Sequence, residues 1–220
     1  MNKEWSDLNK KMQIQIKKKD TFDDGINTLL ELRKKLIAQM ISFKEVLSRE
    51  EFNKIPFINA KGFHNKTIAY SLYHIFRIED IAANSLIKKE EQIFFKNKYD
   101  QKMKVTIITT GNELVKQEIA EFSSKLDLNE LYNYISDVND STTKLLKVLS
   151  YNDLKIKMTE QDKKILESLK VVSNDENAAW LIDYWCSKNI QGLIKMPLSR
   201  HWIMHVEASI RIKNKICKSL

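Results

Sequence analysis

Apolar residues recur at three- and four-residue steps along most of this chain, the period of a helix buried on one face. Phe22, Ile26, Leu29, Leu30, Leu36, Ile37, Met40 and Ile41 predict a helix over about 22–45. Thr21 stands at its start, with Asp23 and Asp24 placed to meet the helix dipole. Ile68, Leu72, Ile75, Glu79, Ala82, Ala83 and Leu86 mark one face of a second helix, capped by Asn65 or Thr67. His74 lies toward the edge of that stripe. A third long helix follows an Asp127 or Asn129 cap and carries Leu131, Ile135, Val138, Thr142, Leu145, Leu146 and Leu149. Pro197-Leu198-Ser199 is a start signal for the last helix, on which His201, His205, Ala208, Ile212 and Ile216 share one inward stripe.

Between these elements the pattern is weaker. Residues 1–20 are polar and read as an N-terminal segment, frayed or loosely docked, with helix as one form it could take. Residues 21–220 read as a single helical-bundle domain. Pro56 and Gly62 mark a connection over 46–64, with room for a short helix at 48–51. The β-branched run Val105-Thr106-Ile107-Ile108-Thr109-Thr110 could be a strand, but it has no evident partner, so loop or helix edge is the preferred reading. Residues 112–122 look helical. So do 159–169, where Thr159-Glu160-Gln161-Asp162 resembles a capping box. Residues 173–177 open a further helix carrying Ala179, Leu181, Ile182 and Trp185, which Gly192 ends or bends.

Composition narrows the class. Only 4 Gly and 2 Pro occur in 220 residues, too few for the turns of a sandwich or barrel. An all-α fold is expected. The net charge of +8 is concentrated in lysines near the start: Lys3, Lys10, Lys11, Lys17, Lys18 and Lys19. No Arg-and-aromatic array accompanies them, so a lysine-rich solvated surface is expected rather than a nucleic-acid partner. An anionic small-molecule substrate is equally compatible with the charge. The two cysteines, Cys186 and Cys217, form no CxxC motif, no apolar run approaches a bilayer span, and the first residues lack a signal-peptide core. A cytoplasmic protein with no membrane partner is the expectation.

The chemistry points to histidine. Of four histidines, His201 and His205 stand one helical turn apart, so two neutral imidazoles can present nitrogens to one ion. The alternative is a pair of core histidines hydrogen-bonded to neighbours. Trp202, Ile203 and Met204 lie between them, so the His-Glu-x-x-His motif and its general base are missing. There is no Gly-rich phosphate loop, Ser-His-Asp signature or paired-Glu iron motif. Tyr70 could reach a pocket with its hydroxyl or simply pack. Glu79 and Asp80 could serve as acceptors behind a ligand imidazole, as a base, or in ion pairs with Arg77 or Arg200. Trp180, Trp185 and Trp202 read as core aromatics, one of which could wall a pocket. His64 reads as a surface-loop residue and both cysteines as inert.

The run Thr67 to Asn84, with His74 followed by Arg77 and the pair Glu79-Asp80, resembles the second helix of the DinB/YfiT-like family of metal-dependent enzymes. Pro197 to Ala208 resembles that family's last helix. The two motifs stand in the expected order, and the resemblance covers most of residues 20–216. It implies a four-helix bundle with a crossover and additional short helices. It also implies that His74, His201 and His205 bind one divalent ion (nickel, zinc, iron or manganese), with open positions for water or substrate. By the same resemblance the activity would be a thiol-dependent S-transfer or isomerisation using a low-molecular-weight thiol cosubstrate, in a protein that could form a homodimer. Glu79 and Tyr70 are the candidate catalytic groups. A metal-dependent hydrolase is the alternative enzyme. A non-enzymatic, stress-associated binding protein working through its basic N-terminal segment is the alternative of another class. The stretches 88–127 and 150–175 depart from the family pattern and could lid or reshape the pocket.

Overall fold

In a computed structural model, which describes residues 2–218, every regular element is a helix, apart from one isolated β-bridge between Lys157 and Asn189. Helix α1 spans Lys3–Gln15 and α2 Phe22–Val46. Helix α3, Ile68–Asp80, runs on through a π-helical stretch, Ile81–Lys88. Short helices α4 (Ile93–Lys96) and α5 (Tyr99–Lys102) lead to α6 (Gln117–Lys125) and the long α7 (Leu128–Val148). Then come α8 (Glu160–Leu169), α9 (Trp180–Cys186), α10 (Ile190–Lys195) and α11 (His201–Cys217).

The caps follow from side-chain chemistry. Thr67 opens α3, its hydroxyl accepting from the Tyr70 N–H at 2.9 Å. Asp127 opens α7 by accepting from the Asn129 and Glu130 N–H groups. Thr159 and Asp162 form the reciprocal capping box of α8.

Three regions differ from the sequence expectation. The N-terminal segment takes the helical form the sequence allowed, but it is firmly docked rather than frayed or loose. Trp5 and Met12 of α1 are buried, and α1 packs along α2. Gly25 permits the approach, since a Cβ there would lie 2.5 Å from Ile16 Cγ2. The six N-terminal lysines point outward and are exposed. Second, the helix expected from 173–177 begins only at Trp180, and Asn189 rather than Gly192 separates it from the next, its side chain accepting from the Gly192 N–H. Third, Pro197 does not start the last helix. It sits in a π-helical turn, Met196–Arg200, that joins α10 to α11. Proline has no N–H to give the α ladder, and widening the turn keeps the helix continuous around that gap.

The long helices close a ring in which α2 and α3 each pack against both α7 and α11. Two buried apolar clusters fill it. One holds Leu32, Leu36, Phe76, Val138 and Trp202, and the other Leu29, Ile78, Leu145 and Leu198. At their junction lies a polar layer. Arg33 of α2 pairs with Glu79 of α3 at 2.7 and 2.8 Å, donates to Asn139 of α7 at 3.0 Å and to the Leu198 carbonyl of the π turn at 3.2 Å, and stacks over Trp202 of α11. One guanidinium thus ties all four walls together. Among the described residues no helix is long and apolar enough to cross a membrane.

Candidate metal centre

Helix α3 delivers His74 to the interior, and the first two turns of α11 deliver His201 and His205. All three imidazoles are buried. Each offers a nitrogen within 4.8 Å of the others. The His74 and His201 Nε2 atoms approach to 3.2 Å. Two nitrogens bound tetrahedrally to one ion at about 2.0–2.1 Å would lie about 3.3 Å apart, so this spacing suits a shared ion.

The orientation of His74 is fixed from outside. Its Nδ1 lies 2.8 Å from the Thr110 carbonyl oxygen. A carbonyl can only accept, so Nδ1 carries the proton and the Nε2 lone pair faces the other two histidines. Thr110 belongs to a strap, Ile107 to Gly111, whose carbonyls are all taken by α3 side chains. The Tyr73 hydroxyl reaches Ile107 and Thr109, Arg77 donates to Ile108, His74 to Thr110, and the Tyr70 hydroxyl to Gly111. The β-branched run at 105–110 is therefore a loop, and its carbonyls bond to side chains where a strand would bond to another strand.

Burial pushes the His74 pKa down to about 4, against the raising effect of the Thr110 hydrogen bond and with a small further lowering from the Lys66 ammonium. His201 and His205 are pushed well below the ordinary histidine value, again by burial first and then by neighbouring histidines. All three are neutral near pH 7, the form that can donate a lone pair. Nδ1 of His201 and both ring nitrogens of His205 are buried without a hydrogen-bond partner. Unpaired buried nitrogens are costly, and one nitrogen of His205 lies within 4.8 Å of the His74 and His201 donors, where a shared ion would satisfy it. The donor set therefore fits a divalent metal of borderline softness.

The histidines form one wall of a cavity of about 310 Å³ whose other walls include Phe63, Ile78, Asn112, Trp180, Leu181, Tyr184, Trp185, Met196 and Met204. Phe63 meets His205 edge-on at 4.8 Å.

The other residues singled out in the sequence lie elsewhere or have supporting contacts. Glu79 is bound to Arg33 and does not line the cavity. Asp80 accepts from the Ile93 and Phe94 N–H groups and the Tyr134 hydroxyl, with Arg77 at 3.7 Å. Arg77 is thus one of the two partners the sequence offered this pair, while Arg200 is exposed. Tyr70 stacks on His74 at 5.5 Å, its hydroxyl spent on Gly111 and its pKa raised by burial. Trp202 is core, whereas Trp180 and Trp185 both line the cavity. His64 sits at the surface, where Arg211 approaches its Nε2 at 2.8 Å. Cys186 and Cys217 are free thiols, and burial pushes Cys186 up to about 11, away from thiolate chemistry.

Sequence reasoning missed Arg33, Asn112, Phe63, Lys66 and the bonding of the strap. Only Gly111-Asn112 carried a signal, as a turn pair after a β-branched run. No family model matches the chain, and no curated protein matches its sequence.

Proposed function

We propose that this protein is a metal-dependent enzyme of the DinB/YfiT-like kind, a four-helix bundle in which His74, His201 and His205 hold one divalent ion. The observation that carries the reading is the convergence of three buried, neutral imidazoles, two on one helix turn and the third oriented by a backbone carbonyl, on the wall of a cavity. Three imidazoles leave coordination positions open, the pattern of a catalytic rather than a structural site. Such an ion supplies Lewis acidity and lowers the pKa of a bound thiol or water.

The thiol-dependent transferase is preferred over the hydrolase on the resemblance, and the chain's own groups are compatible with it. No carboxylate lines the cavity among the described residues, and Glu79 and Asp80 are both committed to buried partners. A low-molecular-weight thiol of lowered pKa is already a nucleophile at neutral pH. Water bound to such an ion would be activated in the same way, so the requirement for added thiol is what separates the two readings. His74 and the strap behind it hold the donor geometry, and Tyr70 braces the His74 ring. The apolar walls exclude water from the attacked bond.

Elemental analysis of untagged protein purified without chelators tests the reading. About one divalent ion per chain is expected, absent from His74→Ala and His205→Ala. A wild-type protein that stays metal-free after exposure to nickel, zinc, iron and manganese would refute it. With metal in place, turnover of an electrophile should require added thiol.

A further inference from the structure

We infer that the cavity over the three histidines takes a substrate with an uncharged, aromatic-sized apolar body and a single donor atom presented to the metal position. This inference rests on the proposed metal site and goes on to name the chemistry of its ligand.

The walls decide it. Among the described residues, no Lys, Arg, Asp or Glu lines this cavity. Helix α9 supplies Trp180, Tyr184 and Trp185 to the lining, and the π turn and α11 supply Met196 and Met204. Aromatic faces and flexible thioethers adapt to flat apolar ligands. Asn112 is the one side-chain amide in the lining, so it can orient a ligand without neutralising a charge. A carboxylate or ammonium carried on the ligand's body, away from the metal position, would lose its water and find no counter-charge among the lining side chains, which is unfavourable. Lys66, whose charge reaches His74 and His205, stands over the Tyr70 ring at 5.1 Å and is not part of the lining.

Size and entrance agree. A volume of about 310 Å³ packed at protein density holds on the order of a dozen non-hydrogen atoms. Trp180 is 52% exposed, so it sits at the mouth. It is held there edge-on to Tyr184 at 5.7 Å, with its indole N–H donating to the Asn177 carbonyl. A half-exposed indole fixed at the opening of an apolar cavity is a surface that a flat ligand can cover. The general basic charge of the protein therefore does not select the ligand at this site. The lining selects against charge on the part of the ligand that lies away from the metal position.

The test uses the whole protein loaded with cobalt(II) and three probes: imidazole, 4-phenylimidazole and 4-(imidazol-4-yl)benzoate. Cobalt absorption reports the donor atom and tryptophan fluorescence reports the cavity. The phenyl group should tighten binding about 30-fold over imidazole, the gain from burying one aromatic ring. The added carboxylate should remove at least about tenfold of that gain. Trp180→Ala, at a half-exposed position, should keep its cobalt and lose most of the phenyl advantage. Equal affinity for imidazole and 4-phenylimidazole would overturn the inference, as would a carboxylate probe that binds as tightly as the phenyl one. If cobalt itself does not bind, the metal reading falls separately. The same affinity ratios, read by fluorescence on the metal-free protein, then decide the character of the cavity.

Discussion

A single buried guanidinium shows how one residue can set both structure and chemistry. Arg33 and Glu79 are almost wholly inaccessible, at 2% and 0% side-chain exposure, and meet through two short bonds. Their pairing removes Glu79 from any role as a base. It also makes each the partner the other cannot lose. Removing one member of a buried pair leaves an uncompensated charge, which costs about 3–5 kcal/mol, whereas replacing both with apolar groups is often neutral. Arg33→Met should therefore lower stability in urea unfolding by about that amount, and Arg33→Met with Glu79→Met should recover most of it. A single variant costing below about 1 kcal/mol would mean that water reaches the pair and that the polar layer is not sealed.

At the scale of elements, legibility followed periodicity. The long helices α2 and α7 and the inward stripe of α11 could be read because their apolar residues repeat on one face, and the caps Thr67, Asp127 and Thr159 are local chemistry. The pairing of His201 with His205 came from the same geometry. His74 needed the resemblance, because one histidine beside an apolar stripe has no periodic signature. The strap was legible only as a loop, from a β-branched run with no strand partner, and its bonding was not legible. Val105 to Thr110 has the composition of a strand, and only the tertiary fold shows that Tyr70, Tyr73, His74 and Arg77 take its carbonyls. Gly111 makes the strap's end possible. Its φ is +78°, and a Cβ there would lie 2.9 Å from Tyr70 Cε2. Gly111→Ala should therefore cost about 1–3 kcal/mol and, by shifting Thr110 off His74, speed metal loss to a competing chelator. Gly62 is the control: it has φ +81°, but a Cβ there would meet nothing within 4 Å. Gly62→Ala should carry the backbone cost alone and leave the metal dissociation rate unchanged. Equal chelation rates in both variants would detach the strap from the site.

For the whole molecule, the three histidines make folding itself sensitive to acid. In the unfolded chain each has a pKa near 6.5. In the folded, metal-free protein His74 falls to about 4 and the other two lie well below 6.5, because burial penalises the charged ring. As pH drops below about 6.5 the unfolded chain takes up protons that the folded one refuses. Unfolding is then favoured, and stability is lost progressively until each folded pKa is passed. The stability these groups contribute is thus fully present above pH 6.5 and declines toward pH 4. Ordinary carboxylates titrate near 4, so the window from about pH 5 to 6.5 belongs to histidine. Urea unfolding of the metal-free protein across that window should show a slope approaching one proton for each buried histidine. His205→Ala should reduce the slope by about one proton while lowering stability at pH 7 through the lost packing. Loading the protein with metal should raise its unfolding midpoint most at pH 7 and progressively less toward pH 5, since protons and the ion compete for the same lone pairs. A flat profile between pH 7 and 5 would mean that the imidazoles are solvated or protonated in the folded state, and the site would then lack the neutral, water-free donors on which a three-histidine metal centre depends.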